Sequence, residues 1–130
     1  MADKVYVVDK GLEQVVDALI AQGAVKYVTW GTGATEASQS DSAMQTPAAP
    51  YNTTAATGAA SKVTTSTAGD TYQVVATLTA NSSVAITEVG ILNQAALSGA
   101  TMFLHGTFSP INLNNGDSIE FTIKSQFNQA

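Results

Sequence analysis

The sequence predicts a mainly β protein: an antiparallel β-sandwich or barrel with one N-terminal amphipathic helix and a long extended arm. Between residues 62 and 127, hydrophobic side chains recur at every second position, and turn residues separate the runs, as expected for short antiparallel strands. A stretch near the N-terminus repeats its apolar residues at helical spacing instead. The 130 residues suffice for one core. We therefore expect a single domain, 1–130, consisting of a helix and strand (1–30), an arm (31–60) and a β core (61–130).

The helix is predicted to lie between Asp9 and Gly23. Its apolar stripe has five members: Leu12, Val15, Val16, Leu19 and Ile20. Their spacing places them on one face of an α-helix. Asp9 is the expected N-cap and Gly23 the expected stop. Residues 25–30 then alternate as a strand.

Residues 31–60, called the arm segment below, follow neither the helical nor the strand period. They are rich in small and neutral polar residues, and their only charges are Glu36 and Asp41. Such a segment is long for a connector and too poor in charge for a solvated linker. We expect an extended arm on a neighbouring subunit or another surface, with a loose surface loop as the alternative. The expected interface residues are Trp30, Met44, Pro47, Pro50 and Tyr51. If the arm is extended, deleting residues 36–57 should leave a soluble β domain.

The β core begins with a predicted hairpin. Residues 62–67 and 71–80 flank Gly69-Asp70, a pair suited to a two-residue turn. The inward row of its second strand is expected to contain Tyr72, Val74, Ala76 and Leu78. In residues 84–92 the alternation shifts from one face to the other, which indicates a β-bulge near Glu88 or Gly90.

The last two predicted strands are separated by a turn at residues 114–117. A strand over residues 101–108 is expected to stop at Pro110, and Asn-Gly in the following turn favours a tight reversal. The final inward row consists of Ile119, Phe121, Ile123 and Phe127. The total of six or seven closely connected strands is typical of a sandwich or barrel.

The charge composition argues against nucleic-acid binding and for contact with other proteins. The chain has five basic residues, all lysine, against ten acids, for a net charge of −5, so it lacks the cations that nucleic acids require. Charged residues make up 12% of the chain, about half the usual share. Such a surface resists association poorly and predicts contact with further copies or a large partner.

The remaining evidence about the class of protein is what the sequence lacks. No apolar stretch is long enough to span a membrane, and the apolar run at the N-terminus is too short for a signal peptide. The absence of cysteine excludes disulfides and thiolate metal sites. We expect a soluble protein made in a cytosol, without a membrane or nucleic-acid partner.

No motif predicts catalysis, a cofactor or a metal ion. Gly31 and Gly33 begin a dinucleotide-like pattern, but Glu36 stands where its third glycine belongs. The oxygen-rich residues 112–117 fit a hairpin turn better than a calcium loop, because Ile111 would occupy the first ligand position; an irregular cation site there is the less common alternative. His105 and Glu88 have no nucleophile or second acid in a recognisable pattern. We expect both to be structural and the protein not to be an enzyme.

Four stretches carry a resemblance to a known class of protein. Residues 26–33 follow the helix, and residues 85–92 contain Glu88-Val89-Gly90 before two apolar residues. Residues 101–104 and 108–119 then contain Thr-Met-Phe-Leu and Phe-Ser-Pro-Ile-Asn followed by Gly-Asp. Together these stretches resemble small virion structural proteins of tailed bacteriophages, most of all capsid decoration (cement) proteins.

The resemblance implies a function without catalytic residues. A decoration protein binds the outer face of the phage head and stabilises it by bridging capsomers, since it binds the assembled shell and not its separated parts. The implied partner is the major capsid protein, the implied assembly a homotrimer, and the implied location the virion, after synthesis in the host cytoplasm. The alternative is a tail-fibre or baseplate component whose Trp30 and tyrosines contact a host receptor or carbohydrate. A small β-sandwich enzyme is the least favoured class, because titratable groups do not converge.

Overall fold

The computed structural model describes residues 4–128 of the chain and shows a mainly β architecture. One helix precedes seven strands in the described residues. The elements are α1 (Asp9–Gln22), β1 (Tyr27–Gly31), β2 (Ala56–Thr57), β3 (Ala59–Val63), β4 (Thr71–Thr79), β5 (Val84–Leu92), β6 (Met102–Leu113) and β7 (Ser118–Gln126).

The strands form two open antiparallel sheets. One sheet has the order β2-β1-β5-β6, and the other has the order β3-β4-β7. Every pairing is antiparallel, and neither sheet closes on itself within residues 4–128. The expected mainly β fold with one helix is thus confirmed, while a closed barrel is not found.

A single apolar core joins the two sheets. Trp30 and Ile91 from the first sheet are fully buried with Val74 and Leu78 from the second, and α1 adds Val16. The inward row predicted for β4, from Tyr72 to Leu78, is confirmed, because all four of its members are buried. The alternation of β-strand side chains thus identified one side of the core correctly.

The ends of α1 differ in how well the sequence predicted them. Gly23 ends the helix with a φ of 69° and donates its N–H to the Leu19 carbonyl, a left-handed conformation that suits glycine. The predicted N-cap at Asp9 is wrong. Val8 occupies the N-cap with extended backbone and no side-chain cap, and Asp9 is the first helical residue.

Two further strand predictions are corrected. β3 ends at Val63, opposite Thr71, so residues 64–70 form the hairpin loop in place of a two-residue turn at Gly69-Asp70. The Asp70 carboxylate orders this loop by accepting the N–H groups of Thr65, Ser66 and Thr67. β6 does not stop at Pro110 but continues to Leu113. β6 is an edge strand, where the missing N–H of proline removes no ladder hydrogen bond.

A long extended arm is not confirmed, because the arm segment folds back on its own domain. The Ala48 N–H donates to the Trp30 carbonyl, and Thr29 Oγ1 donates to the Tyr51 carbonyl at 2.6 Å. The segment contains β2, which pairs with β1, and runs into the start of β3. Its few apolar side chains therefore serve the core of this chain.

Within residues 4–128, no helix has the length and apolar character needed to cross a membrane.

Candidate functional site

A cluster of titratable groups that includes a fully buried carboxylate lies where the arm segment crosses β5 and β6. His105 of β6 contacts a carboxylate at each ring nitrogen: Nδ1 lies 2.7 Å from Asp41 Oδ2, and Nε2 lies 2.8 Å from Glu88 Oε1. The side chains of His105 and Glu88 are 3% and 0% exposed. We call Asp41, His105 and Glu88 the carboxylate–histidine cluster.

The geometry of this cluster determines its protonation. An ionised carboxylate accepts hydrogen bonds only, and a neutral imidazole has one N–H. Carboxylate oxygens lie at both ring nitrogens of His105. In a neutral ring, the nitrogen without a proton would point its lone pair at the lone pair of one of these oxygens, and the two would repel each other. His105 is therefore an imidazolium that donates to Asp41 and Glu88 together. The cluster carries two negative charges and one positive charge.

The Glu88 carboxylate also anchors the backbone of the arm segment. Oε2 accepts the N–H groups of Gly33 and Thr46 at 2.8 Å each, and Oε1 accepts the Gln45 N–H at 3.0 Å. With the bond from His105, this buried carboxylate accepts four hydrogen bonds. Glu88 thereby holds both ends of the stretch from residue 33 to residue 46 against β5.

Glycines at positions 31 and 33 allow this close approach. A Cβ at either position would lie 2.5 Å from Glu88 Oε2, closer than a Cβ carbon can approach a non-bonded oxygen. The same two glycines form the pattern that resembles the start of a dinucleotide-binding loop. In the folded chain they make room for the Glu88 carboxylate, which gives the pattern a structural explanation.

Each member of the cluster has a displaced pKa. Burial raises the pKa of Glu88, but the N–H groups of Gln45, Thr46 and Gly33, with His105, outweigh it and lower the pKa below 4.5. Burial lowers the pKa of His105, but hydrogen bonds to Asp41 and Glu88 and their charges raise it above 6.5. The Ser38 N–H and His105 lower the pKa of Asp41. All three shifts favour the charged forms found in the geometry.

The geometry of the cluster suits a structural role. A catalytic histidine needs one nitrogen free to exchange a proton with a nucleophile or substrate, and both nitrogens of His105 are engaged by carboxylates. No group of three acids, histidines or cysteines in residues 4–128 is arranged to hold a metal ion. Asp41 and Glu88 lie on opposite sides of the ring and cannot converge on one ion. What the arrangement does is fix the arm segment to β5 and β6.

The five residues expected at an interface have different environments. Trp30 is fully buried and Met44 is 9% exposed, so neither offers a contact surface. Tyr51 is half-buried, and its ring meets Trp30 edge to face at 5.3 Å. Pro47 is half-buried, and Pro50 is exposed. Of the five, only Pro50 is exposed.

Exposed large apolar side chains occur instead in residues 4–8, at Val15 of α1, and at Phe103 and Ile111 of β6. Residues 4–8, called the N-terminal segment, include Val5, which is 96% exposed, Tyr6 and Val8. Ile111 borders a groove of about 480 Å³ between β6 and β7, whose other apolar lining residues are buried or half-buried. Its apolar lining consists of Val89, Phe108, Ile111, Ile119, Phe121 and Ile123.

Comparison with known proteins does not assign the chain to a family. No protein-family model matches it, and no curated protein matches it.

The carboxylate–histidine cluster was only partly foreseeable from the sequence. A bulge near Glu88 was predicted, and the register of β5 against β6 shifts between Ile86 and Glu88. Structural roles were expected for Glu88 and His105 separately, but their contact and the part of Asp41 were missed. Asp41 is 64 positions from His105. The available signal was that Asp41 is one of only two charges in the arm segment.

We expect the free energy of unfolding to be greatest between about pH 4.5 and 6.5. His105, with its raised pKa, stabilises the fold fully below its ordinary value of 6.5, and this contribution is lost as pH rises through the folded value. Glu88, with its lowered pKa, contributes above 4.5 and loses its contribution as pH falls through the folded value. Denaturant titrations across this range measure the profile.

His105→Gln is the matched variant for the pH profile, since the chain has one histidine. It should be less stable overall and should lose the decline on the alkaline side. An unchanged alkaline decline in that variant would show that His105 does not cause it.

Proposed function

We propose that this protein is a non-catalytic virion component that binds the outer face of a bacteriophage head and stabilises the shell by bridging capsomers. The two sheets around one core would form a β-sandwich that serves as a rigid mount. The observation that carries the proposal is apolar surface left exposed on a small domain with few charges. The resemblance of four stretches to decoration proteins supplies the class of partner, the major capsid protein.

The surface that binds the phage head is then the N-terminal segment and not the arm segment. The arm segment is held by Glu88 and by bonds around Trp30 and Tyr51, so it cannot leave the domain without breaking them. The N-terminal segment has apolar, largely β-branched residues and high exposure at Val5, Tyr6 and Val8. An extended apolar segment of this kind can add to a sheet edge or a groove of a partner.

The buried polar groups are not arranged for catalysis. Both nitrogens of His105 contact carboxylates, and Ser38 Oγ, near the same cluster, bonds to Ser40 Oγ at 3.0 Å. No group in this arrangement is poised as a nucleophile. A binding role fits the molecule better than an enzymatic one.

The alternative, a tail-fibre or baseplate component, loses Trp30 and Tyr51 as contact residues and keeps Tyr6, which is exposed. Trp30 is fully buried, and Tyr51 packs on it while its hydroxyl accepts the Thr79 N–H at 2.9 Å. Antibody labelling of phage particles in negative stain separates the two locations. Label on heads supports decoration, and label confined to tails would overturn it.

A paired substitution tests the contact itself. We expect Val5→Ser combined with Tyr6→Ser to weaken binding to expanded heads by about tenfold or more, because two exposed apolar side chains lose their burial in the complex. Co-sedimentation of the variant with heads measures the loss. The matched control is Ile111→Ser, which changes an apolar side chain that is 40% exposed but lies on β6, away from the N-terminal segment. Equal binding by the double variant and wild type would exclude the N-terminal segment as the contact.

A further inference from the structure

The four sheet edges of the described residues differ in how well they are protected. β2 is only two residues long. β3 has five residues, and its Lys62 pairs with Glu13 and Asp17 of α1, which covers this side. β6 contains Pro110 and pairs with β5 through two register shifts. Short length, a covering helix, proline and bulges are all devices that discourage pairing between edges.

β7 has none of these four devices, and its only protection of the kind found at sheet edges is one charge of each sign, Glu120 and Lys124. Its nine residues contain no proline or glycine, and it pairs with β4 without a register shift from Ser118 to Gln126. Its other edge faces no strand in residues 4–128. A long, regular and unpaired edge is a template for another strand.

The charges on β7 specify how such a strand would align. Glu120 and Lys124 are exposed on the outer face, and their β4 neighbours, Thr77 and Gln73, carry no charge. Neither belongs to an ion pair among those found in residues 4–128. Each charge therefore lacks an opposite charge across the strand within its own sheet.

We infer that two copies of this chain pair through β7 across a two-fold axis centred on Thr122. A two-fold axis perpendicular to the sheet makes facing residues point to the same side. Centred on Thr122, the middle of β7, the pairing overlaps all nine residues and places Glu120 opposite Lys124 of the second copy, twice. Centres at Glu120 or Lys124 would oppose like charges and shorten the overlap.

The inner face of β7 agrees with the same alignment. Phe121 faces Ile123 of the second copy in both directions, so apolar residues meet on the side toward the core. The groove between β6 and β7 borders this edge and contains Ile111, which is 40% exposed. Pairing brings two such grooves together at one axis and reduces the exposure of their apolar linings. The pair differs from the homotrimer that the phage resemblance implies.

Charge reversal tests the pair without capsids, so its outcome is separate from that of the proposed function. Glu120→Lys alone or Lys124→Glu alone turns two opposite-charge contacts into two like-charge contacts. Each should raise the dimer Kd by about tenfold or more. Wild type should have about twice the single-chain mass of 13.3 kDa by light scattering at micromolar concentration. The double reversal E120K/K124E should restore that mass.

Mixing the two single variants gives the sharpest readout, since each alone repels itself and the mixture is complementary. We expect heterodimers in the mixture, seen by native mass spectrometry. Glu36→Lys, an exposed reversal outside β7, is the matched control and should pair as wild type does. Circular dichroism checks that each variant is folded. A wild-type monomer, or a trimer or dimer insensitive to both single reversals, would overturn the inference.

Discussion

Replacing Glu88 with Ala is expected to lower the free energy of unfolding by about 3–5 kcal/mol, as removal of one partner from a buried charge pair does. The substitution removes the acceptor of three backbone N–H groups and leaves the His105 imidazolium with Asp41 alone. Buried donors without an acceptor carry their full desolvation cost. A small domain has about 5–15 kcal/mol in total, so the loss is a large fraction.

Denaturant unfolding followed by circular dichroism measures the effect. Glu88→Gln should be milder, since an amide oxygen can accept some of the same bonds while the charge is lost. Glu36→Ala is the matched control, because Glu36 is an exposed acid in the same segment and should change stability little. If Glu88→Ala proved as stable as Glu36→Ala, the carboxylate–histidine cluster would not be the anchor of the arm segment.

The strands that the sequence predicted best are those with strict alternation and one buried face. β4 is such a strand, since Tyr72, Val74, Ala76 and Leu78 are buried and the residues between them are less so. The stop at Gly23 was predictable for a similar reason, because a left-handed helix end is a local requirement that glycine meets. Local periodicity and local backbone conformation are readable without knowledge of the rest of the fold.

The cluster could not be predicted in the same way. Asp41, His105 and Glu88 come together through pairing of β5 with β6 and through the path of the arm segment. A sequence can show that an acid lies in an apolar strand, but it does not show which distant N–H groups will satisfy it. For Glu88, these donors are 42 to 55 positions away. Contacts at such separations depend on the completed fold.

The packing of the arm segment against its own domain was not predicted from the sequence for a related reason. Its composition of small and neutral residues is compatible with an extended arm, a loose loop or a packed covering. Met44 and Ala55 are buried, but two such side chains produce no periodic pattern. The hydrogen bonds that hold the segment come mostly from its backbone. Every residue type except proline has the same backbone N–H and C=O groups, so amino-acid composition does not reveal these bonds.

Deleting residues 36–57 and rejoining the chain through Gly-Ser is expected to unfold the protein. The deletion removes β2 and the buried Met44 and Ala55. It also removes Tyr51 from the side of Trp30, and Asp41 from His105. Loop shortening alone costs little, so a chain that lost only a loose loop would keep its fold. Circular dichroism and thermal unfolding distinguish these outcomes, and a near-native spectrum with a cooperative transition would contradict the packed segment and restore the extended arm and the loose loop as hypotheses.

A control of full length separates loss of packing from loss of surface. The variant Glu36→Gln, Gln39→Ser, Asn52→Ser changes three exposed side chains in the same range and should unfold as wild type does. Because the deletion is expected to abolish the fold, its failure to bind heads would report unfolding and not a lost contact. Point variants of exposed residues, in the N-terminal segment for heads and in β7 for pairing, are therefore the experiments that bear on binding.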